Sequence, residues 1–218
     1  MKKTYLYCTL ILSLLTISCT KTSENVSTIT NFAVMELLGD PIEYTESGQV
    51  YNDPGVNATI AGESVEYETV GTVDTNTPGV YDLSYEVVNE DGFAAKAFRT
   101  VFVYENNGTI AGMYDGKRVG RTGGPVLIAS TGTADTYSIT DILGGYYEYG
   151  VGYGRAYATP GTLIVSGASI SSSGVSNGFE GWSLSSGSIN SPTDLTWSIT
   201  YDVDPTFGFD VQLTKTTP

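Results

Sequence analysis

The sequence predicts an all-β protein made of two successive β domains, and three observations indicate this fold class. No stretch of the chain keeps a helical period of apolar residues over three turns. From residue 32 onward, tyrosine, threonine, valine and glycine dominate, and these residue types are typical of strands and the turns between them. The segment Asn89-Glu90-Asp91-Gly92 is a strong hairpin signal between two strand-like runs.

The first element is a predicted signal peptide over residues 1–18. Lys2 and Lys3 precede an apolar run over residues 6–17, which is too short to span a bilayer comfortably. Cys19 stands where cleavage is expected, and this arrangement resembles the lipobox of bacterial lipoproteins, although Thr16 occupies a position where that family usually has leucine. The resemblance implies that Cys19 becomes the lipid-modified first residue of the mature chain. The alternative is ordinary secretion with cleavage nearby.

Residues 19–31 are predicted to form a flexible tether. Beyond Cys19 this segment is rich in serine, threonine and asparagine and shows no apolar periodicity. Such a segment buries too little apolar surface to offset the entropy of ordering its backbone. We therefore expect a disordered connection between the lipid and the first folded domain.

The composition argues against nucleic-acid binding and against most forms of catalysis. A formal net charge of −14 repels nucleic acids, and the chain contains no histidine, so the usual general base and the most common zinc ligand are missing. Cys8 is lost with the signal peptide and Cys19 carries the lipid, so no disulfide is expected. We predict that the protein is not an enzyme and has no catalytic residue, cofactor or metal ion. A hydrolase with two facing carboxylates is the weakest alternative.

Residues 32–105 are predicted to form a small β-sandwich. Residues 65–70 alternate between apolar and polar side chains, and Tyr81, Leu83, Tyr85 and Val87 share one face of a later strand. Strands at this spacing, separated by Pro-Gly and Asp-Gly turns, are typical of such sandwiches.

Five segments of this region carry a more specific resemblance. They are YNDPGVNA at 51–58, GTVDTNTPGVY at 71–81, LSY at 83–85, NEDG at 89–92 and RTVFV at 99–103. In this order they resemble the bacterial immunoglobulin-like repeats of surface and cell-wall proteins. The resemblance implies an N-terminal immunoglobulin-like β-sandwich that acts as a spacer.

Residues 106–218 are predicted to form a second antiparallel β domain, either a barrel or a sandwich. Asn106-Asn107-Gly108 marks the expected boundary, and the roughly 110 residues that follow are enough for one compact domain. The candidate strands are 109–114, 126–129, 136–140, 146–157, 162–165, 169–172, 195–203 and 207–214.

The unusual stretch of this domain is the predicted strand 146–157, which places phenol rings on one face and glycines on the other. In one interpretation the rings fill a core and the glycines let the strand curl. In the other, some rings line an exposed platform or cleft for a sugar, because flat aromatic faces pack against sugar C–H surfaces. The candidate ligand-binding residues are Tyr147, Tyr149, Tyr153, Arg155, Tyr157 and Trp182.

The two tryptophans receive different predictions. Trp197 lies on the apolar face of an alternating segment and is expected in the core. Trp182 follows a glycine-rich segment and is predicted to be an exposed ring on a loop, or else a plug that closes one end of a barrel.

Charged side chains suggest two further sites. Lys117, Arg118 and Arg121 fall within five residues and could bind a carboxylate or sulfate group, although pairing with the chain's own acids is the favoured interpretation. Asp202 and Asp204 lack the rest of a calcium-loop pattern, so no metal is expected there.

The order of lipidated cysteine, tether, immunoglobulin-like spacer and distal β domain resembles small surface lipoproteins of the Bacteroidetes. The resemblance implies a non-catalytic accessory protein, anchored in the bacterial outer membrane through Cys19 and possessing a glycan-binding role in a polysaccharide-uptake system. The resemblance does not decide between display on the cell surface and display on the periplasmic side. The alternatives are an assembly lipoprotein that contacts an outer-membrane transport protein, and a barrel that carries an apolar ligand.

Overall fold

The computed structural model describes residues 29–172, 175–177 and 180–218, and strands form nearly all of its regular structure. Residues 32–218 form one compact unit. Cys19, the predicted signal peptide and most of the predicted tether lie outside the described residues. Within those residues, no helix is both long enough and apolar enough to span a bilayer.

The first seven strands form the two sheets of an immunoglobulin-like sandwich. Their bounds are Ala33–Leu37 (β1), Ile42–Glu46 (β2), Val56–Ile60 (β3), Glu63–Ser64 (β4), Glu68–Val70 (β5), Gly79–Val88 (β6) and Ala94–Tyr104 (β7). One sheet has the order β1-β3-β4 and the other β2-β7-β6-β5, in which β2 runs parallel to β7. The predicted hairpin at 89–92 connects β6 to β7, and the faces of the two sheets enclose an apolar core around Tyr85 and Val101.

A buried arginine ties the two sheets of this sandwich together. The guanidinium of Arg99 on β7 forms an ion pair with Asp53, and its Nε lies 3.6 Å from a carboxylate oxygen of Glu43. The same side chain donates to the backbone carbonyls of Leu38 and Asp40, and the Tyr85 hydroxyl also donates to Asp53. Asp53 and Arg99 belong to the first and last of the five segments that resemble immunoglobulin-like repeats, so those segments meet in space.

The last nine strands form a single antiparallel sheet that closes on itself as an eight-stranded barrel. Their bounds are Gly112–Arg118 (β8), Gly123–Ser130 (β9), Thr136–Ile139 (β10), Gly161–Ser166 (β11), Ser169–Ser172 (β12), Val175–Asn177 (β13), Glu180–Ser191 (β14), Asp194–Tyr201 (β15) and Gly208–Thr216 (β16). The strand order is β12-β11-β10-β9-β8-β16-β15-β14-β13, and pairing of β12 with β14 closes the barrel.

The closing contact requires a glycine. Ile170 of β12 pairs with Gly187 of β14, and a Cβ on Gly187 would lie 2.3 Å from the Ile170 carbonyl oxygen. Any larger residue would push the two strands apart at the seam. The register of β14 against β15 shifts between Ser185 and Ser188 at the same place, as expected for a bulge at a barrel corner.

Side chains fill the barrel interior. The fully buried rows include Leu195, Trp197 and Ile199 on β15 and Val211 and Leu213 on β16. The prediction of Trp197 as a core residue is confirmed. An interior filled with side chains is typical of small barrels.

The outer face of the immunoglobulin-like sheet packs directly on the outside of the barrel. Phe102 and Tyr104 of β7 form an apolar cluster with Met113 of β8 and with Leu127 and Ala129 of β9. All five side chains are buried. This apolar contact fixes the sandwich alongside the barrel.

Candidate functional site

Three connections of the barrel meet at one of its ends. These are the β8–β9 connection after Arg118, the β10–β11 connection at 140–160 and the β15–β16 connection after Tyr201. Because neighbouring strands are antiparallel, β8, β10 and β15 all finish at this end.

The connection at 140–160 does not form the predicted strand over 146–157, so that prediction is wrong. Tyr146–Gly150 is a turn of π-helix and Arg155–Tyr157 a turn of 3-10 helix. The glycines of this segment serve turns and close packing: Gly152 and Gly154 have φ values of 81° and 89°, and a Cβ on Gly150 would lie 3.0 Å from Thr122. Tyr149 packs on β9, where a Cβ on Gly124 would lie 2.5 Å from the Tyr149 ring.

The side chain of Asp141 stabilises the conformation of this connection through hydrogen bonds to its backbone. Its carboxylate is buried and accepts hydrogen bonds from the backbone N–H groups of Leu143, Gly145 and Thr159, at 2.9, 3.0 and 3.0 Å. Burial raises the pKa of Asp141 to about 7, and the three N–H donors oppose that rise. The two ends of the 140–160 connection are thus joined through one carboxylate.

Eight aromatic rings form a continuous cluster at this end of the barrel, which we call the aromatic end. They come from the 140–160 connection, from β14 to β16 and from the β15–β16 connection: Tyr146, Tyr147, Tyr153, Tyr157, Trp182, Tyr201, Phe207 and Phe209. Tyr147 and Tyr153 are nearly parallel, with an interplanar angle of 11° and centroids 6.2 Å apart. The Tyr153 side chain is 54% exposed and Phe207 is 38% exposed, so the cluster reaches solvent.

Trp182 is the floor of the aromatic end, and the prediction of an exposed loop ring is wrong. The residue lies on β14 and is 1% exposed, with its ring 5.0 Å from that of Tyr201 and 5.7 Å from that of Phe209. This position fits the alternative of a plug that closes one end of the barrel. The Trp182 Nε1 is buried and has no hydrogen-bond partner among the described residues.

Arg118 brings a positive charge into the aromatic end. Its guanidinium carbon lies 4.6 Å from the ring centroid of Phe209, 5.1 Å from that of Tyr146 and 5.9 Å from that of Phe207. The predicted pairing of Lys117, Arg118 and Arg121 with the chain's own acids is not found: none of the ion pairs within the described ranges includes these residues.

Two of the six candidate residues lie elsewhere, at the junction between barrel and sandwich. Arg155 donates from Nε to Glu148 at 3.0 Å, and its Nη2 donates to Asp82 and to the Thr100 hydroxyl of the sandwich, both at 3.3 Å. Burial, followed by the nearby Glu148 charge, raises the pKa of the Tyr149 hydroxyl. These residues join the two parts of the fold.

A cleft of about 320 Å³ opens beside this junction. Its walls come from both parts of the fold, with Val80, Phe102, Pro125, Thr140, Glu148, Tyr149, Arg155, Ala158 and Pro160. Glu148 is buried and already forms an ion pair with Arg155. The two charged side chains of this cleft therefore neutralise each other.

The structure thus brings together Tyr147, Tyr153, Tyr157 and Trp182, and separates them from Tyr149 and Arg155. Sequence reasoning missed further members of the aromatic end: Tyr146, Tyr201, Phe207 and Phe209. A signal for two of them was present, because Tyr201 continues the inward row of Trp197 and Ile199, and Phe209 that of Val211.

Comparison with known proteins agrees with this architecture of a sandwich followed by a barrel. Residues 35–103 match the family of bacterial surface protein Ig-like domains, and residues 105–215 match a family described as a C-terminal domain. The chain is also similar to the crystal structure of the lipoprotein BT2262 from Bacteroides thetaiotaomicron, with a TM-score of 0.67 and 30% sequence identity. That match covers 84% of this chain and 100% of the other. No curated protein is significantly similar in sequence.

The chain belongs to the family of bacterial lipoproteins that includes BT2262 and combines an Ig-like domain with this C-terminal domain. The predicted resemblance to small lipoproteins of the Bacteroidetes is confirmed. The predicted fold class, an immunoglobulin-like sandwich followed by an antiparallel β domain, is also confirmed, and that second domain is a barrel.

Proposed function

We propose that this protein is a non-catalytic, lipid-anchored accessory of the bacterial outer membrane, and that the aromatic end of its barrel binds a carbohydrate chain. The observation that carries the proposal is the continuity of the aromatic end, from the buried Trp182 to the half-exposed Tyr153 and Phe207. Exposed aromatic rings that rest on a rigid floor lose little side-chain entropy when a ligand packs on them.

The rigidity of the aromatic end supports binding by stacking. Asp141 fixes the 140–160 connection, and the Trp197 Nε1 donates to the Ile142 carbonyl at 2.8 Å, which ties the connection to the barrel core. Tyr147 lies between this support and the exposed Tyr153. Flat rings of this kind match the C–H faces of sugars, and their hydroxyls offer hydrogen bonds at the rim.

The anchor and the sandwich account for the rest of the chain. A lipid on Cys19 would hold the protein at the membrane, and the tether over 19–31 with the immunoglobulin-like region would carry the barrel away from it. The absence of histidine from the sequence favours binding over catalysis. A carried apolar molecule is less favoured, because side chains such as Trp197, Leu213 and Val211 fill the barrel interior.

The test is binding of the purified protein to a panel of polysaccharides by affinity electrophoresis and calorimetry. Replacing Tyr153 with alanine is expected to weaken binding about tenfold, since a lost aromatic contact costs on the order of 1.4 kcal/mol. Phe98→Ala is the matched control, because Phe98 is an exposed ring (64%) on the sandwich and is not one of the eight rings of the aromatic end. Equal affinity of the Tyr153→Ala variant and the wild type would contradict the proposal.

A second candidate function, contact with a membrane protein, is favoured by one observation. Phe98 and Val70 lie on the outer face of the immunoglobulin-like sheet, in register with Ser84, and are 64% and 51% exposed. Exposed apolar patches on a sheet face are typical of protein contacts. Crosslinking in cells followed by purification would test this role. Capture of one outer-membrane protein that Phe98→Asp abolishes would support it, and capture unchanged by that variant would contradict it.

A further inference from the structure

We infer that the ligand of the aromatic end is an acidic carbohydrate, and that Arg118 binds its carboxylate or sulfate group. The inference rests on the proposed function and names the chemical class of the sugar. The observation behind the inference is the position of Arg118, a cation without an acid partner in the residues described, among the rings of the aromatic end.

Arg118 faces the end of the barrel from its inner side. Tyr114 of β8 belongs to the barrel core, and a Cβ on Gly116 would meet Leu213 and Val126, which are core residues. Arg118 is the next residue in this alternating row. Its side chain is therefore directed to the barrel opening, where it is half-buried against Phe209 and Tyr146.

The guanidinium of Arg118 keeps its hydrogen-bonding capacity. Throughout the described part of the chain, it has neither an ion pair nor a hydrogen bond, whereas Lys96, Arg99 and Arg155 are all paired with acids. The surrounding ring faces attract its charge but use none of its five N–H donors. A planar guanidinium in this state suits a carboxylate or sulfate, which accepts two parallel N–H bonds.

The local charge differs from that of the whole chain. The chain carries a formal net charge of −14, yet Lys117 and Arg121 add positive charge beside Arg118 at the β8–β9 corner. Asp202 and Asp204 of the β15–β16 connection accept hydrogen bonds from the Ser183 hydroxyl at 2.7 Å and the Thr206 hydroxyl at 2.6 Å, and within the described ranges neither forms an ion pair with Arg118. The three cations of the β8–β9 corner therefore have no acid partner among the described residues and would attract an anionic group.

Rings and cation together specify the ligand. A sugar ring stacked on Tyr153 and Phe207 would bring a substituent to Arg118, because Phe207 contacts both that guanidinium and the Trp182 floor. A neutral sugar would leave the Arg118 charge partly desolvated and without a partner.

The experiment compares matched polymers with the full-length protein: dextran against dextran sulfate, and polygalacturonate against its methyl ester. We expect the charged member of at least one pair to bind at least tenfold more tightly than its neutral partner. Arg118→Gln should remove that preference. Arg118→Lys, which keeps the charge without the planar fork, should retain part of the preference. Lys96→Gln is the control, and thermal unfolding of every variant verifies folding.

The outcomes separate the inference from the proposed function. Binding of neutral and charged polymers with equal affinity would overturn the acidic-ligand inference and leave carbohydrate binding intact. A preference for the charged polymer that both Arg118 variants retain in full would overturn the role of Arg118. Tighter binding of poly-glutamate than of any polysaccharide would identify an acidic peptide and overturn the inference. Absence of binding to every polysaccharide would overturn the proposed function itself.

Discussion

Replacing Arg99 with methionine is expected to lower the free energy of unfolding by about 3 to 5 kcal/mol, because it removes one partner of a buried ion pair. Methionine fills similar space but leaves the carbonyls of Leu38 and Asp40 without their donor, and it removes the counter-charge of Asp53. The Asp53 carboxylate then keeps only the weaker hydrogen bonds from the Tyr85 hydroxyl and the Gly55 N–H. Chemical denaturation of the purified protein measures the change.

Lys96→Met on the same strand is the matched control for this prediction. Lys96 pairs with Glu86 at 2.7 Å, but the two side chains are 48% and 28% exposed. Exposed pairs contribute about 0 to 1 kcal/mol, so the control should change stability little. Equal stability of the Arg99→Met and Lys96→Met variants would show that Arg99 does not hold the two sheets together.

Replacing Asp141 with alanine is the second large expected effect. The change strips three buried backbone N–H groups, those of Leu143, Gly145 and Thr159, of their acceptor. An unsatisfied buried donor costs about 1 to 3 kcal/mol, so we expect a loss of about 3 kcal/mol or more. Because the 140–160 connection carries Tyr147 and Tyr153, carbohydrate binding should be lost at the same time. A variant as stable as the wild type would contradict the role of Asp141.

The same carboxylate makes a specific contribution to pH dependence. Its pKa in the folded protein is raised to about 7 from an ordinary value of 3.8, so the folded state holds the proton more tightly than the unfolded state. This contribution to stability is fully present below about pH 4 and is lost as the pH rises through about 7. Asp141→Asn removes the titrating group, so its unfolding free energy should fall less than that of the wild type between pH 5 and pH 8. Parallel profiles for the two proteins would contradict this prediction.

The immunoglobulin-like region could be predicted closely because its sequence signals are local and its motif residues meet directly. The turn at 89–92 connects β6 to β7, and the Asp53 of one motif pairs with the Arg99 of another. Alternation in β6 and β15 also marks the buried faces correctly, including that of Trp197. Local pattern and tertiary packing agree at these positions.

The barrel was harder to predict because its seam depends on a strand with a weak signal. Residues 180–191 form the twelve-residue strand β14, although serine and glycine dominate them. In β14 the inward positions of Trp182 and Leu184 alternate with serines, and Gly187 allows β12 to approach. Strand propensity favours branched and aromatic residues, so it does not detect this strand. Without β14, Trp182 was assigned to an exposed loop.

The prediction of a strand at the candidate site was wrong for a different reason. Tyrosines and glycines alternate over 146–157, which gives the period of a strand, but the glycines serve turns and close packing. Gly152 and Gly154 have φ values of 81° and 89°, in the left-handed region, and Gly150 lies close to Thr122 of the β8–β9 connection. The period alone does not distinguish glycines in turns from glycines on one face of a strand. The tyrosine-rich stretch was enough to predict a group of aromatic side chains, but the fold selects the members of the cluster.

The measurement that tests the central claim most directly is hydrogen–deuterium exchange of the full chain, with and without a polysaccharide that it binds. Binding at the aromatic end predicts slower exchange over residues 146–157 and 201–209, with unchanged exchange in the immunoglobulin-like strands β5 to β7. Protection confined to β5 to β7, or no protection at either place, would contradict the claim that the barrel end is the binding site.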